Sequence, residues 1–199
     1  MNSIITKIRA ELTNTFNRVF DVFAIREDVL YYQPANNGWS IHQVVEHLVL
    51  ANYFLLRIVN KQTDRAMQIS DIVGAKHPEN YQLDMARLKS MELSGSYIWV
   101  PQRFTEPSGD MPLLQLKMTL HDQLNESLMV LDDNSAIEAI INMYEHGRLD
   151  ALHYLYFLVQ HIQRHLGQIG RVKKEFYQLQ KHATHTDRVP ITDDSFCLN

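Results

Sequence analysis

Gly38-Trp39-Ser40-Ile41-His42-Gln43-Val44 is the clearest local signal in the chain, and it sets the reading of everything around it. Ser40 is placed to cap the amide of Gln43, while the Gln43 side chain returns to the Ser40 amide, a capping box. Trp39 and Val44 flank the cap as a hydrophobic staple. A helix therefore starts at Ile41, and its apolar positions run to about Val59. Three further stretches share the helical period of about 3.6 residues. One is Ile4 to Phe23, with Ile5, Ile8, Leu12, Phe16, Val19 and Phe23 on one stripe; another is Leu113 to Leu131, with Leu116, Leu120, Leu124, Leu128 and Leu131. The last runs from Leu149 to Leu179, with a soft spot at Gly167 and Gly170, where glycine costs helix stability.

The remaining segments read as connections. Asp64 to Gly74 and Glu79 to Leu93 resemble short separate helices, and Ser94 through Pro112 an irregular crossing rich in Ser, Gly and Pro. A short helix is expected at Ser135 to Met143. The reading is an all-α four-helix bundle with short extra helices between its second and third long helices. Residues 1–180 form a single domain, and 181–199 a polar tail draped on the surface.

Composition agrees. The chain has 199 residues, 45% hydrophobic and 21% charged, enough for one packed core and too apolar for disorder. A single Cys, Cys197, excludes a disulfide framework and a thiolate zinc cluster. The net charge of −4 gives no support for nucleic acid as a partner. No apolar run reaches the ~20 residues of a membrane span, and the charged N-terminus does not resemble a signal peptide. A cytoplasmic protein with no membrane partner is expected.

Histidine is where chemistry can reside. Of 10 His, His161 and His165 stand at i, i+4, a spacing that lets two imidazoles share a metal. With so many His the spacing alone proves little, and the helix faces supply the support. With His161 at zero, Tyr154 falls at about +20°, Phe157 at about −40°, Leu158 at about +60°, His165 at about +40° and Gln168 at about −20°. Both His and Gln168 lie on the apolar stripe, with Arg164 at its margin. On the second helix, with His47 at zero, Val44 lies at about +60°, Ala51 at about +40°, Phe54 at about −20° and Ile58 at about +20°. His47 also points inward, next to a small Ala51. His42, about 140° away, is expected on the surface and His153 at the boundary of the core.

Burying three unsatisfied imidazoles costs about 1–3 kcal/mol each. A divalent metal satisfies all three at once, and three His with an unfilled position is the pattern of catalytic zinc. The plain alternative is three core His bonded to carbonyls or water. Nothing in the spacing of Asp122, Glu126, Glu138 or Glu145 selects a general base.

Trp39-Ser40-Ile41 followed by Val45-Glu46-His47-Leu48 resembles the helix-two signature of the DinB-like (YfiT-like) superfamily. Phe157-Leu158, His161, Arg164-His165 and Gln168-Ile169 are similar to that family's last-helix signature, and Pro101 to Pro107 to its Pro-bearing segment. The resemblance spans about Leu30 to Lys173. It implies a bundle, often dimeric, whose His47, His161 and His165 hold zinc, nickel or another divalent ion. It also implies hydrolase-type chemistry or transfer dependent on a low-molecular-weight thiol.

The leading expectation is thus a metal-dependent enzyme acting on an unidentified small molecule, hydrolase first and thiol S-transferase second, with Gln168 and Tyr154 as supporting groups. The rival is a non-catalytic, metal-stabilised bundle that binds a small molecule or partner. The aromatic run Tyr154-Leu155-Tyr156-Phe157 has more apolar circumference than one stripe needs, which together with the resemblance suggests a homodimer.

Overall fold

A computed structural model of the chain describes residues 2–73, 81–93, 102–142 and 149–186. Its helices are α1 (Asn2–Phe20), α2 (Glu27–Leu30), α3 (Ile41–Val73), α4 (Met85–Leu93), α5 (Leu113–Asp132), α6 (Asn134–Asn142) and α7 (Ala151–Thr186). Single 3-10 turns follow α1 and precede α5. The described residues include no strand, so the fold is all-α as expected. None of their helices is long and apolar enough to cross a membrane.

The four long helices pack in a ring: α3 lies against α7 and α5, and α1 against the same two. Each contributes one apolar stripe. Ile8, Leu12, Phe16 and Val19 of α1, Leu48 and Leu56 of α3, Leu116 and Leu120 of α5, and Leu152, Leu155 and Leu158 of α7 are all fully buried. Removing such a side chain down to alanine costs about 2–5 kcal/mol, so these stripes hold the ring together. The short α6 covers α3 and α5 with Ile137, Ile140 and Ile141.

The caps follow the local chemistry. The Gln43 amide donates to Ser40 Oγ at 3.2 Å and the Ser40 amide to Gln43 Oε1 at 3.0 Å, which closes the capping box. Asp133 ends α5 and caps α6, its Oδ1 accepting the amides of Ser135 and Ala136 at 2.9 and 3.0 Å. Asp150 does the same for α7, accepting the His153 amide at 3.0 Å.

Three boundaries differ from the sequence reading. Asp64 to Val73 is not a separate helix but the continuation of α3. The Thr63 hydroxyl bonds back to the Val59 carbonyl at 2.9 Å instead of capping a new start, and no Gly or Pro interrupts the run. The first helix gives way to its 3-10 turn at Asp21, short of Phe23. Helix α7 passes through Gly167 and Gly170 without a break and continues to Thr186, so 181–186 are helical. Of the expected short helix at 79–93, residues 85–93 are helical as α4; residues 79 and 80, Met143, His77, His146 and Cys197 lie outside the described residues.

One connection bears directly on function. The segment 105–111 crosses the N-terminal turns of α3 as a strap. The Met111 carbonyl lies 2.8 Å from His42 Nε2, which therefore donates to it. The Glu46 carboxylate accepts the Ser108 amide at 3.1 Å, the Ser108 hydroxyl at 2.9 Å and the Gly109 amide at 2.6 Å. Gly109 turns with φ 85°, a conformation that side chains with a Cβ rarely adopt. His42 is thus buried beneath the strap, with its ring stacked on Tyr31 at 4.8 Å. The expectation of a surface His42 fails because a distant segment covers that face of the helix.

Candidate metal centre

Helix α3 supplies His47, and α7 supplies His161 and His165, one turn apart. The packing of α3 on α7 brings the three rings together. Their centroids are 4.6 Å apart for His47 and His165, 5.4 Å for His47 and His161, and 4.6 Å for His161 and His165. All three are buried, at 9%, 7% and 6% exposure. One nitrogen from each lies within 4.8 Å of the others, and the group contains no carboxylate or thiol.

Hydrogen bonding settles which nitrogen carries the proton on two of the rings. His47 Nδ1 is 2.6 Å from the Thr105 carbonyl. A carbonyl only accepts, so Nδ1 carries the proton and Nε2 keeps its lone pair. His165 Nδ1 donates in the same way to Gln168 Oε1 at 2.9 Å. This is the arrangement of metal-ligating histidines, whose second N–H is held by an oxygen that fixes tautomer and ring orientation. The strap thereby acts on the cluster itself, because Thr105 belongs to it.

Electrostatics favour the neutral rings. Burial pushes His161 well below the ordinary imidazole range, and the neighbouring His165, His47 and Arg164 push it further. His165 is lowered to about 4, first by burial and then by His47, against a small opposing effect of its bond to Gln168. Burial also lowers His47, more than its bond to Thr105 raises it. Three imidazoles kept unprotonated near neutrality are what a metal ion requires of its ligands.

The donor set fits a borderline divalent ion such as zinc. Aromatic rings flank two of the three histidines. Trp39 tilts against His47 at 4.8 Å between centroids, and Phe157 stacks near His161 at 6.4 Å. Trp39 thus lies beside the cluster. Phe104, next to Thr105, approaches Phe54 at 6.1 Å.

Of the supporting residues expected from sequence, Gln168 is in direct contact with the cluster through His165. Tyr154 is buried in the core, where burial raises its phenol above the ordinary range. His153 is not at a boundary but fully buried. Its Nε2 accepts the Asp84 amide at 2.9 Å and its Nδ1 donates to Asp150 at 2.8 Å, which ties the segment before α4 to the start of α7. His121 lies on the exposed face of α5, stacked on Phe20 at 4.0 Å, away from the three His. The aromatic run is used within this chain: Tyr154, Leu155 and Phe157 are buried, and Lys7 lies 5.3 Å over the half-buried Tyr156 ring.

The sequence reading gives Thr105, Glu46 and Arg164 no role at the cluster, although Glu46 and Arg164 fall within the two family-like stretches. A backbone carbonyl has no sequence signal. Glu46 is a carboxylate beside an inward His, but its partners Ser108 and Gly109 lie far away in sequence. Arg164 Nη2 donates to His165 Nε2 at 3.2 Å, which places a guanidinium at the edge of the cluster.

A family model described as the DinB superfamily matches residues 7–169. No curated protein and no solved structure matches the chain.

Proposed function

We propose, from the premise that the chain belongs to the DinB superfamily, that it is a metal-dependent enzyme of hydrolase type. His47, His161 and His165 would hold one divalent ion, zinc or nickel, with an open position for a small-molecule substrate. The observation that carries this reading is the pair of Nδ1–H bonds to Thr105 and Gln168. They leave lone pairs on buried, neutral rings that no ordinary core histidine needs to gather in one place. A bound ion of this kind supplies Lewis acidity, polarising a carbonyl or acidifying a water or thiol.

The chain's own residues do the rest. Thr105 and Gln168 hold the His47 and His165 rings at fixed orientation. Trp39 and Phe157 limit water at the cluster, which strengthens charge interactions there. A second reading, transfer dependent on a low-molecular-weight thiol, is favoured by the all-imidazole donor group. It brings no carboxylate to serve as a base for water, and a thiol bound to a metal is deprotonated without one. A cytoplasmic homodimer is the setting the family suggests.

The test is turnover by zinc- and nickel-loaded protein on esters, amides and thiol-plus-electrophile pairs. Hydrolysis lost in His161→Ala supports the first reading, and activity only with thiol present supports the second. Turnover unchanged in His161→Ala would refute both.

A further inference from the structure

We propose that Asn37-Gly38 is a self-modification site, at which the folded chain converts Asn37 to isoaspartate and aspartate with loss of ammonia. Asn37 is the one asparagine of the chain that glycine follows. It is exposed, in a turn that its own amide closes on the Pro34 carbonyl at 3.1 Å. With φ 55° it is also the one non-glycine residue of positive φ among the described residues. Asparagine enters this left-handed region more readily than most residues, and the backbone there is the less firmly held for it. Among the described residues neither its carboxamide nor its carbonyl makes a hydrogen bond. The side chain is therefore at liberty to turn back on the main chain.

The step needs no reagent but water. The Gly38 nitrogen gives its proton to solvent and bonds to Asn37 Cγ; the bond from Cγ to the side-chain nitrogen breaks, and that nitrogen leaves as ammonia. The resulting cyclic imide takes up one water and opens at either carbonyl. One opening gives aspartate; the other, the commoner, runs the main chain through Cβ and Cγ as isoaspartate. Gly38 has no side chain to shield its nitrogen, and a Cβ there would meet Asn36 Oδ1 at 2.7 Å. Reaching Cγ requires the Asn37–Gly38 peptide to turn, which breaks its bond from the Gly38 amide to Asn36 Oδ1 at 2.9 Å. The product bears on the three-His cluster, because isoaspartate inserts a methylene into the main chain two residues before Trp39, whose ring lies 4.8 Å from His47. The loop is tied on the other side, by Gln33 Nε2 to the Gly38 carbonyl at 2.8 Å and by the Ala35 amide to Glu175 at 3.0 Å. Lengthening the chain between these ties and Trp39 moves the indole off His47 and into water.

The full chain is incubated in mildly alkaline buffer beside a synthetic peptide of residues 33–41. Both are followed by peptide mass spectrometry and by labelling with an isoaspartyl methyltransferase. Asn37 should react first among the asparagines, slower than in the peptide by about two- to ten-fold, the effect of one hydrogen bond to be broken. The label should disappear in Asn37→Gln, whose longer side chain closes its ring far more slowly. A folded chain slower than the peptide by more than about ten-fold, another asparagine reacting first, or a label that persists in Asn37→Gln would overturn the proposal. The coupling to Trp39 is read by fluorescence in a Trp99→Phe background, which leaves Trp39 as the one tryptophan. The modified chain, separated by ion exchange, should emit at longer wavelength than the unmodified one, and freshly purified Asn37→Asp, which adds the charge without the methylene, should not. Unchanged emission after modification, or an equal shift in Asn37→Asp, would overturn the link between the lengthened main chain and the cluster.

Discussion

Replacing Glu46 tests whether the strap over α3 sets the three-His cluster or merely covers it. The carboxylate is 3% exposed and accepts three hydrogen bonds from Ser108 and Gly109. Hydrogen bonds to a charged group contribute about 1.5–3 kcal/mol each. Ser108 is exposed, so water can replace part of what its amide and hydroxyl lose. With one to two bonds effectively lost, Glu46→Ala should cost about 3 kcal/mol of stability, and Glu46→Gln, which keeps one acceptor oxygen, about half of that. The second consequence runs through Thr105, three residues from Ser108, whose carbonyl holds His47 Nδ1 at 2.6 Å. Loosening such a support typically lowers metal affinity 10- to 100-fold. Urea unfolding of the metal-free protein measures the first effect, and competition for zinc with a chromophoric chelator measures the second. Wild-type urea midpoints and wild-type zinc affinity in both variants would refute the role assigned to the strap.

Other outcomes follow from individual residues. His165 titrates near 4 in the folded chain against about 6.5 unfolded, so between these values the unfolded chain binds more protons. Metal-free stability should therefore be complete above pH 6.5 and fall by about 3 kcal/mol towards pH 4 on account of this group; a fall no smaller in His165→Gln would contradict the assignment. A Cβ at Gly170 meets nothing within 4 Å, so Gly170→Ala should add about 1 kcal/mol and raise the melting temperature. A lower one would show that the position has a packing partner. His153→Ala, which strands Asp150 and the Asp84 amide, should destabilise by about 2–3 kcal/mol while leaving metal content intact, and loss of metal there would move His153 into the centre.

Helical phase makes the gathering of the three histidines legible in the sequence. His47, His161 and His165 lie on long uninterrupted helices, where a turn of about 100° per residue carries an inward face faithfully from one residue to the next. The capping box at Ser40 fixed the start of that phase on α3. What the phase does not contain is the cover that distant segments provide. His42 and His153 both lie off the apolar stripes, and both are buried because residues 105–111 and 81–84 fold over them. The same blindness hid Thr105 and left Glu46 unread, since their roles exist only once the strap is in place. The misread boundary at Asp64 has a different origin. No Gly or Pro lies between Ile41 and Val73, so the helix continues through Asp64.

Metal content tests the central claim most directly. It should be measured by elemental analysis of protein purified without a His tag, after loading with zinc or nickel, for wild type, His47→Ala and His153→Ala side by side. About one ion per chain is expected in wild type and in His153→Ala, and none in His47→Ala. No ion in wild type after loading, or an ion retained in His47→Ala, would contradict it and return the three histidines to the packed core.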